Sequence, residues 1–285
     1  MQGSLKDKVL FISGASRGIG EAIALRAARD GAKIAVVAKT VDPHPTLPGT
    51  IYTAVEKIKK AGGDAIGIQC DIRDEKQVQA AIEQTVKKFA SAIFVKGTED
   101  TPASRFDLMH QINTRGTWLV SKLALPYLKK AKNPHILNLS PPLSMEQKWF
   151  APNTAYTMAK YGMSMCVLGM SGEFKKYGIA VNALWPYTTI STAALVIVAT
   201  KRPDLISREP EIMSDAAHII LTKDSKSCNG QFFIDETILR EHGTTDFEKY
   251  STIPGTKIDE FSLDGFMSDE DIQKLANLRK VQSKL

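Results

Sequence analysis

Tyr156 and Lys160 have the residue types and the spacing of a proton-transfer pair. In a helix, residues i and i+4 lie one turn apart on the same face, so the two polar ends would be close together. A phenol has a reference pKa of about 10, and a fixed cation nearby favours the phenolate and lowers that pKa. The pair could therefore transfer a proton near neutral pH. The alternative is a surface pair on an amphipathic helix, which is the default for so short a pattern.

A glycine-rich turn near the N-terminus favours the chemical interpretation. The motif Gly14-x-x-x-Gly18-x-Gly20 follows Val9–Ile12, an apolar run typical of a strand buried on both faces. A helix is predicted from about Glu21 to Asp30, and a second strand over Lys33–Ala38. Glycines in this position let backbone N–H groups approach phosphate oxygens at the positive end of the helix. The unit therefore predicts a dinucleotide site.

The chain resembles the short-chain dehydrogenase/reductase family over most of its length, to about Phe266. The glycine turn, Tyr156 and Lys160 carry the resemblance, together with the stretches 113–117, 126–130, 159–165 and 180–186. The resemblance implies an α/β fold of Rossmann type, a doubly wound parallel sheet flanked by helices, and an oxidoreductase with a nicotinamide cofactor. It also implies that the first cofactor contacts are Ser13, Gly14, Ala15, Ser16, Arg17, Gly18, Ile19 and Gly20.

The charge at the end of the second strand bears on the choice of cofactor. A carboxylate there would accept hydrogen bonds from the ribose of NAD, whereas a 2′-phosphate needs cations. This chain has Lys39 at that position and Arg17 in the glycine turn. In the resembling family both residues can reach the same phosphate, so we predict NADP(H). Asp71 resembles the family's adenine contact, although it could also cap the next helix.

The resemblance implies four catalytic positions. Tyr156 would exchange a proton with the substrate oxygen, and Lys160 would lower the tyrosine pKa and hold the nicotinamide ribose. Asn113 would anchor a proton relay at a distortion of its helix. The family serine usually comes from a Ser-Ser pair, whereas here Ser140 precedes a proline and lies 16 residues before Tyr156. We prefer Ser140 to its rival Ser144, because a strand end fixes it and Ser144 lies on an irregular loop.

The segment after the sixth predicted strand stands where the family has a Pro-Gly turn that binds the nicotinamide carboxamide. Tyr187 replaces the glycine, and the segment is one residue longer. We carry over Pro186, Ile190 and Thr192 as cofactor contacts. Residues Ala193–Ile212 are predicted to form a substrate lid.

The other predicted elements are four helices, over about Tyr52–Ala61, Glu75–Phe89, Phe106–Lys130 and Ser214–Thr222, and four strands, over Ala65–Cys70, His135–Leu139, Ala180–Leu184 and Gly230–Asp235. The pattern departs from the family after Phe89, where a central strand and an Asn-rich turn are absent. Their absence would leave backbone groups unpaired in the interior. One hypothesis is that Ala92–Val95 takes the vacant position, leaving Lys96-Gly97 near the cofactor. The other is that the sequence lacks a segment and folds poorly.

Composition excludes several other classes of protein. The 285 residues can bury one large α/β core, with or without an appendage. The net charge of +6 comes from dispersed Lys and Arg residues, which solvated helix faces explain better than nucleic acid. Three distant cysteines predict reduced thiols, and five scattered histidines predict no metal site. No apolar stretch of signal-peptide type precedes the first strand.

The C-terminus carries two signals. Ser283-Lys284-Leu285 matches the peroxisomal import tripeptide, so we expect the import receptor as a partner and the peroxisomal matrix as the location. Ser268–Asp271 resembles a capping box that starts a last helix, with an apolar stripe formed by Ile272, Leu275, Leu278 and Val281. We expect a dinucleotide-binding domain over residues 1–236 and a C-terminal extension over 237–285.

These features predict an NADP(H)-dependent oxidoreductase that transfers hydride between nicotinamide and a carbonyl or alcohol. The import tripeptide favours a lipid-derived substrate. We expect a small-molecule substrate and no nucleic acid, and we keep a homo-oligomer open. The alternative is a nucleotide- or lipid-binding regulator that kept the fold and lost turnover. The missing strand favours this alternative, whereas the four intact catalytic positions argue against it.

Overall fold

The computed structural model of the chain describes residues 4–6, 9–44, 47–83, 95–192, 195 and 205–282. The first part alternates strands and helices: β1 Val9–Ser13, α1 Gly18–Arg29, β2 Lys33–Ala38, α2 Ile51–Lys60, β3 Asp64–Gln69 and α3 Glu75–Glu83. The second part contains α4 Ala103–His110, a π-helical turn Gln111–Arg115, α5 Gly116–Leu128, β4 His135–Asn138, α6 Gln147–Phe150, α7 Thr154–Phe174, β5 Ala180–Trp185, α8 Glu211–Thr222, β6 Phe232–Ile234, α9 Asp235–Glu241 and α10 Asp269–Gln282.

The six strands form two parallel sheets of three strands each, with the pairing orders β1-β2-β3 and β4-β5-β6. In the first sheet Val9 lies opposite Lys33, and in the second His135 lies opposite Ala180. No strand of the described residues pairs with both β1 and β4. The predicted α/β architecture of Rossmann type, with parallel strands flanked by helices, is thus confirmed. Of the proposed substitute at 92–95, only Val95 falls within the described residues, and it is not in a strand.

Burial differs between the inner and outer strands of the two sheets. All six residues of β5 are buried, and so are all residues of β2 except Lys33. By contrast, residues 10–13 of β1 and all four residues of β4 are only half-buried. In a doubly wound sheet the strand before the glycine turn is normally covered on both faces. Among the strands that the structure describes, β1 and β4 each pair with one neighbour only, β2 and β5 respectively.

One hydrophobic cluster nevertheless spans both sheets. It contains Ile23 of α1, Leu184 of β5 and Ile220 of α8, and both Ile12 of β1 and Leu137 of β4 pack against it. Two polar contacts support the same packing of α1 on α8: Arg26 Nε lies 3.1 Å from Asp215 Oδ1, and His218 Nε2 lies 2.7 Å from Asp30 Oδ2. The two halves of the fold therefore share a core.

The chain after β6 packs back onto the second sheet. The boundary expected between residues 236 and 237 falls inside α9. α10 begins with the predicted cap, in which Ser268 Oγ accepts a hydrogen bond from the Asp271 N–H at 3.1 Å. Arg279 of α10 binds the buried carboxylate of Glu236 through Nε and Nη2, each at 2.9 Å.

The predicted apolar stripe of α10 is wrong at one position. Leu275 is fully buried and Ile272 packs in the same cluster, but Val281 is 61% exposed. At 3.6 residues per turn, a residue six positions after Leu275 points away from the buried face. Residues 283–285, which hold the predicted import tripeptide, lie outside the described residues, as does most of the predicted lid.

The predicted helix over Phe106–Lys130 contains the π-helical turn Gln111–Arg115, at the position where the resemblance implied a distortion. One local prediction needs correction. Asp74, not Asp71, caps α3, because Asp74 Oδ1 accepts hydrogen bonds from Lys76 N at 2.9 Å and Gln77 N at 3.1 Å. No helix in the described part of the chain is both long and apolar enough to cross a membrane.

Because one core spans both sheets, we expect a single cooperative unfolding transition in urea. The three tryptophans all lie after residue 117, so their fluorescence reports on the second half, whereas far-UV circular dichroism reports on both. The two signals should therefore give the same midpoint. NADPH at about 100 times its Kd should add about 2.7 kcal/mol to the free energy of unfolding. Two separate midpoints would contradict a shared core, and a broad transition without cooperativity would favour a chain that folds poorly.

Candidate active site

The glycine turn joins β1 to α1 with little room for side chains. Ser13 ends β1, and Gly14 has φ 71° and donates its N–H to Val37 O at 3.0 Å. A Cβ on Gly20 would lie 2.5 Å from Gly14 O, so only glycine fits there. Arg17 is the N-cap residue of α1, but its side chain makes no capping hydrogen bond. The first N–H groups of α1 therefore have no side-chain cap, as an anion site requires.

The predicted cofactor-selecting side chains make contacts of their own. Lys39 follows β2, and its Nζ lies 3.4 Å from Asp71 Oδ2. Asp71 is also held by Arg73, and this hydrogen-bonded pair lowers the pKa of Asp71 to about 2. Arg17 Nη2 donates to Gly49 O at 2.6 Å, while its buried Nε has no hydrogen-bond partner among the described residues. The structure thus brings Lys39 and Asp71 together but holds Arg17 at a separate loop.

Tyr156 and Lys160 lie on α7, as predicted. Lys160 is buried, donates to Leu139 O at 3.2 Å and lies 5.0 Å from the centre of the Trp185 ring. Burial lowers the pKa of Lys160 to about 8, and the charge of Asp264 opposes that shift. Tyr156 is half-buried, and the centre of its ring lies 6.2 Å from that of Phe266.

The expected pKa shift of Tyr156 has the wrong sign. Burial raises the pKa of Tyr156 above its usual value, and the negative charge of Asp264 raises it further. Neither hydrogen bond of the Lys160 ammonium goes to Tyr156, because one goes to Leu139 O and the other to Met163 Sδ. Desolvation of the phenolate therefore prevails over attraction by the cation. The phenol is protonated at neutral pH.

The geometry favours Ser140 over Ser144 as the hydroxyl donor. Ser140 follows β4, is 0% exposed, and its Oγ has no hydrogen-bond partner among the described residues. Its neighbour Leu139 is the residue whose carbonyl holds Lys160. Ser144 instead lies on a loop, and its Oγ contacts Glu146 Oε1 at 3.2 Å. A buried hydroxyl without a partner is costly unless a ligand satisfies it.

Asn113 lies in the π-helical turn, at the kind of helix distortion that the resemblance implied. Its side chain is buried, and Nδ2 donates to Met109 O at 3.0 Å. The next residue, Thr114, donates through Oγ1 to Ala159 O at 3.1 Å. A Cβ on Gly162 would lie 2.1 Å from Thr114 Oγ1, so glycine at 162 permits this close approach. The turn is thus fixed against the part of α7 that carries Lys160.

The segment after β5 reaches the glycine turn. A Cβ on Gly18 would lie 3.5 Å from Thr192 Cγ2, so Thr192 is brought to the nucleotide side. Pro186 and Ile190 are buried. The structure therefore connects the glycine turn, through this segment, to the end of β5 near Lys160.

Sequence reasoning missed one charged residue of the site. Asp264 Oδ1 accepts a hydrogen bond from Trp185 Nε1 at 2.6 Å and from Phe266 N at 3.1 Å. Burial raises the pKa of Asp264 to about 6. The only sequence signal for it was a single carboxylate among the apolar residues at the C-terminal end of the resemblance.

The fold and this arrangement of side chains define a Rossmann-type oxidoreductase with a nicotinamide cofactor. Residues 8–201 match the family model described as short chain dehydrogenase. The chain belongs to that family.

Several relatives resemble most of the chain. It is 54% identical over 282 residues to "Hydroxysteroid dehydrogenase-like protein 2" from Danio rerio, covering 95% of this chain and 67% of that protein. It is 52% identical over 274 residues to the protein of the same name from Homo sapiens, covering 93% and 65%. A crystal structure of a short chain dehydrogenase from Mycobacterium thermoresistibile has a TM-score of 0.85 at 46% identity, covering 93% of this chain and 96% of that one. The chain spans about two thirds of the length of the curated relatives.

A pair of alanine variants tests which serine holds the substrate oxygen. We expect Ser140→Ala to lower kcat by about 10²–10³-fold, the usual loss when one donor to a developing oxyanion is removed. Ser144→Ala is the matched control and should change kcat little, because its hydroxyl already contacts Glu146. Steady-state NADPH oxidation measures both variants. A large loss in Ser144→Ala, with Ser140→Ala unaffected, would transfer the role to Ser144.

Proposed function

We propose that the protein is an NADP(H)-dependent oxidoreductase that transfers hydride between nicotinamide and the carbonyl or alcohol of a lipid-derived substrate. The observation that carries this proposal is the buried Ser140 hydroxyl, which has no hydrogen-bond partner among the described residues. Ser140 is adjacent in sequence to Leu139, whose carbonyl accepts a hydrogen bond from Lys160. Lys160 lies on α7, the helix that also carries Tyr156. An unused donor beside a proton-transfer pair is what binding of a substrate oxygen requires.

The glycine turn supports binding of a dinucleotide. The absence of a side chain at Gly20 leaves space beside the backbone of Gly14 that any Cβ would fill. The Arg17 side chain does not cap the first turn of α1. The pyrophosphate would lie against these N–H groups, with Thr192 on the other side of the turn. A bound nicotinamide supplies or accepts the hydride.

Charge near the end of β2 supports NADP(H) over NAD(H). Lys39 and Arg73 bring two cations to this region, and Asp71 brings one carboxylate that binds both of them. A 2′-phosphate needs cations, whereas the ribose of NAD is usually bound by a free carboxylate. The remaining positive charge would attract a phosphate.

The protonation state of Tyr156 supports reduction of a carbonyl. The phenol carries a proton at neutral pH, and it can donate that proton to the substrate oxygen as hydride arrives. Ser140 would hold that oxygen, and the Lys160 ammonium would stabilise the phenolate left behind. Asn113, in the π-helical turn, would anchor the proton relay that returns a proton to Tyr156.

The surroundings of Tyr156 support an apolar substrate. Its ring belongs to a cluster of mostly aromatic side chains, which includes Trp149, Tyr161, Trp185, Tyr187 and Phe266. Such a wall favours a hydrocarbon or another apolar body next to the reacting carbon.

A panel of carbonyl compounds tests the activity. We expect purified protein to oxidise NADPH with one or more aliphatic aldehydes, ketones or 3-ketoacyl thioesters, and NADH more slowly. Tyr156→Phe should abolish turnover because it removes the transferable proton, and it should leave NADPH binding intact, as measured by fluorescence titration. Retained turnover in Tyr156→Phe would remove that residue from the mechanism.

The gap between β1 and β4 favours a second candidate, a nucleotide- or lipid-binding regulator without turnover. This candidate predicts that NADPH binds but that no member of the panel is reduced. The two functions therefore differ in the same assay.

The nucleotide preference can be tested at the two ends of β2. Lys39→Ala should raise the KM for NADPH on the order of tenfold, because it removes a charged hydrogen-bond donor to the 2′-phosphate. The KM for NADH should change little. Lys33→Ala, at the exposed start of the same strand, is the matched control. Equal effects of Lys39→Ala on both nucleotides would contradict a contact with the 2′-phosphate.

A further inference from the structure

Residues Phe261–Met267, the closing segment, lie along the turn that follows β5. Thr189 N donates to Ser262 O at 2.9 Å, and Asp264 N donates to Tyr187 O at 3.0 Å. Thr188 and Leu263 form an antiparallel bridge between these bonds. The closing segment lies outside residues 8–201, which match the family model. Backbone hydrogen bonds thus hold the closing segment to the turn after β5.

Phe266 anchors the closing segment in the aromatic wall. The centre of its ring lies 5.7 Å from that of Trp185, 5.8 Å from that of Tyr161 and 6.0 Å from that of Trp149. It also lies next to Tyr156, at 6.2 Å. Aromatic pairs at these distances are attractive beyond the area that they bury. The segment therefore has a defined position beside the reacting groups.

Asp264 presents a carboxylate at this position. Its Oδ1 is used twice, by Trp185 Nε1 and by Phe266 N, whereas Oδ2 has no hydrogen bond to any residue that the structure describes. The Trp185 ring that holds it also lies 5.0 Å from Lys160 Nζ. The pKa of Asp264 is about 6, so the group is charged at neutral pH. Its charge acts on both Lys160 and Tyr156.

We propose that Asp264 is a specificity-determining residue that excludes substrates with a carboxylate beside the reacting carbonyl and admits uncharged ones. The proposal rests on the oxidoreductase function proposed above. A second carboxylate placed next to the Tyr156 phenol would face Asp264 in a poorly hydrated site, where like charges repel more strongly than in water. An ester or a ketone of the same shape carries no such charge. Discrimination of this kind comes from a repulsive element rather than from an added contact.

If Asp264 instead only anchors the closing segment through its hydrogen bonds to Trp185 and Phe266, removing its charge should not change substrate preference. Asp264→Asn keeps an oxygen that can accept the bonds from Trp185 and Phe266 while removing the charge. Trp185→Phe removes the indole donor while keeping the charge of Asp264. The two variants therefore separate charge from anchoring.

The probes are 2-oxooctanoate and its methyl ester, which differ at the group next to the reacting carbonyl. Wild-type protein with NADPH should prefer the ester. In Asp264→Asn the ratio of kcat/KM for the acid to that for the ester should rise on the order of tenfold, mainly through a lower KM for the acid. In Trp185→Phe the ratio should stay near the wild-type value even if both rates fall.

Two results would overturn the proposal. One is an acid-to-ester ratio that is the same in wild-type protein and Asp264→Asn, with equal unfolding midpoints. The other is an equal change of the ratio in both variants, which would assign Asp264 to anchoring alone. If wild-type protein reduces neither probe, the proposed function fails instead. Binding of the acid and the ester to the NADPH complex, measured by tryptophan fluorescence in the same variants, then still decides the role of Asp264.

Discussion

The hydrogen bond from Lys160 Nζ to the Leu139 carbonyl is the contact on which the site depends. It joins the middle of α7 to the end of β4, and so sets the position of Ser140 relative to Tyr156. The ammonium must be buried to make this bond, and its burial lowers its pKa. The aromatic ring of Trp185 and the carboxylate of Asp264 partly compensate a cation placed out of water.

Among the described residues, the break in pairing between β1 and β4 separates the two halves of the site. Tyr156, Lys160, Ser140 and Asn113 all lie between α4 and β5, and the hydrogen bonds of Lys160 and Asn113 remain within that half. The glycine turn belongs to the other half and follows β1, which pairs only with β2 among the described strands. The break in strand pairing therefore lies between the catalytic residues and the nucleotide-binding turn. The hydrophobic cluster that contains residues of α1 and α8 must keep these two parts of the site aligned.

Sequence alone predicted the parts that depend on local patterns. β2 has the predicted bounds, and the spacing of Tyr156 and Lys160 correctly placed them on one helix. The sign of the Tyr156 pKa shift was wrong because it depends on burial and on Asp264, a residue distant in sequence. No periodicity or motif encodes such a contact. The catalytic and cofactor roles of the site residues stay predictions.

The bonds between the closing segment and the turn after β5 have a thermodynamic consequence. That turn contacts the glycine loop at Thr192 and the segment beside Tyr156 at Tyr187, so two ligands would share one stretch of backbone. Any free energy by which the first ligand orders this stretch lowers the cost of ordering it for the second. Such coupling is reciprocal: if the nucleotide changes the affinity for the co-substrate by some factor, the co-substrate changes the affinity for the nucleotide by the same factor.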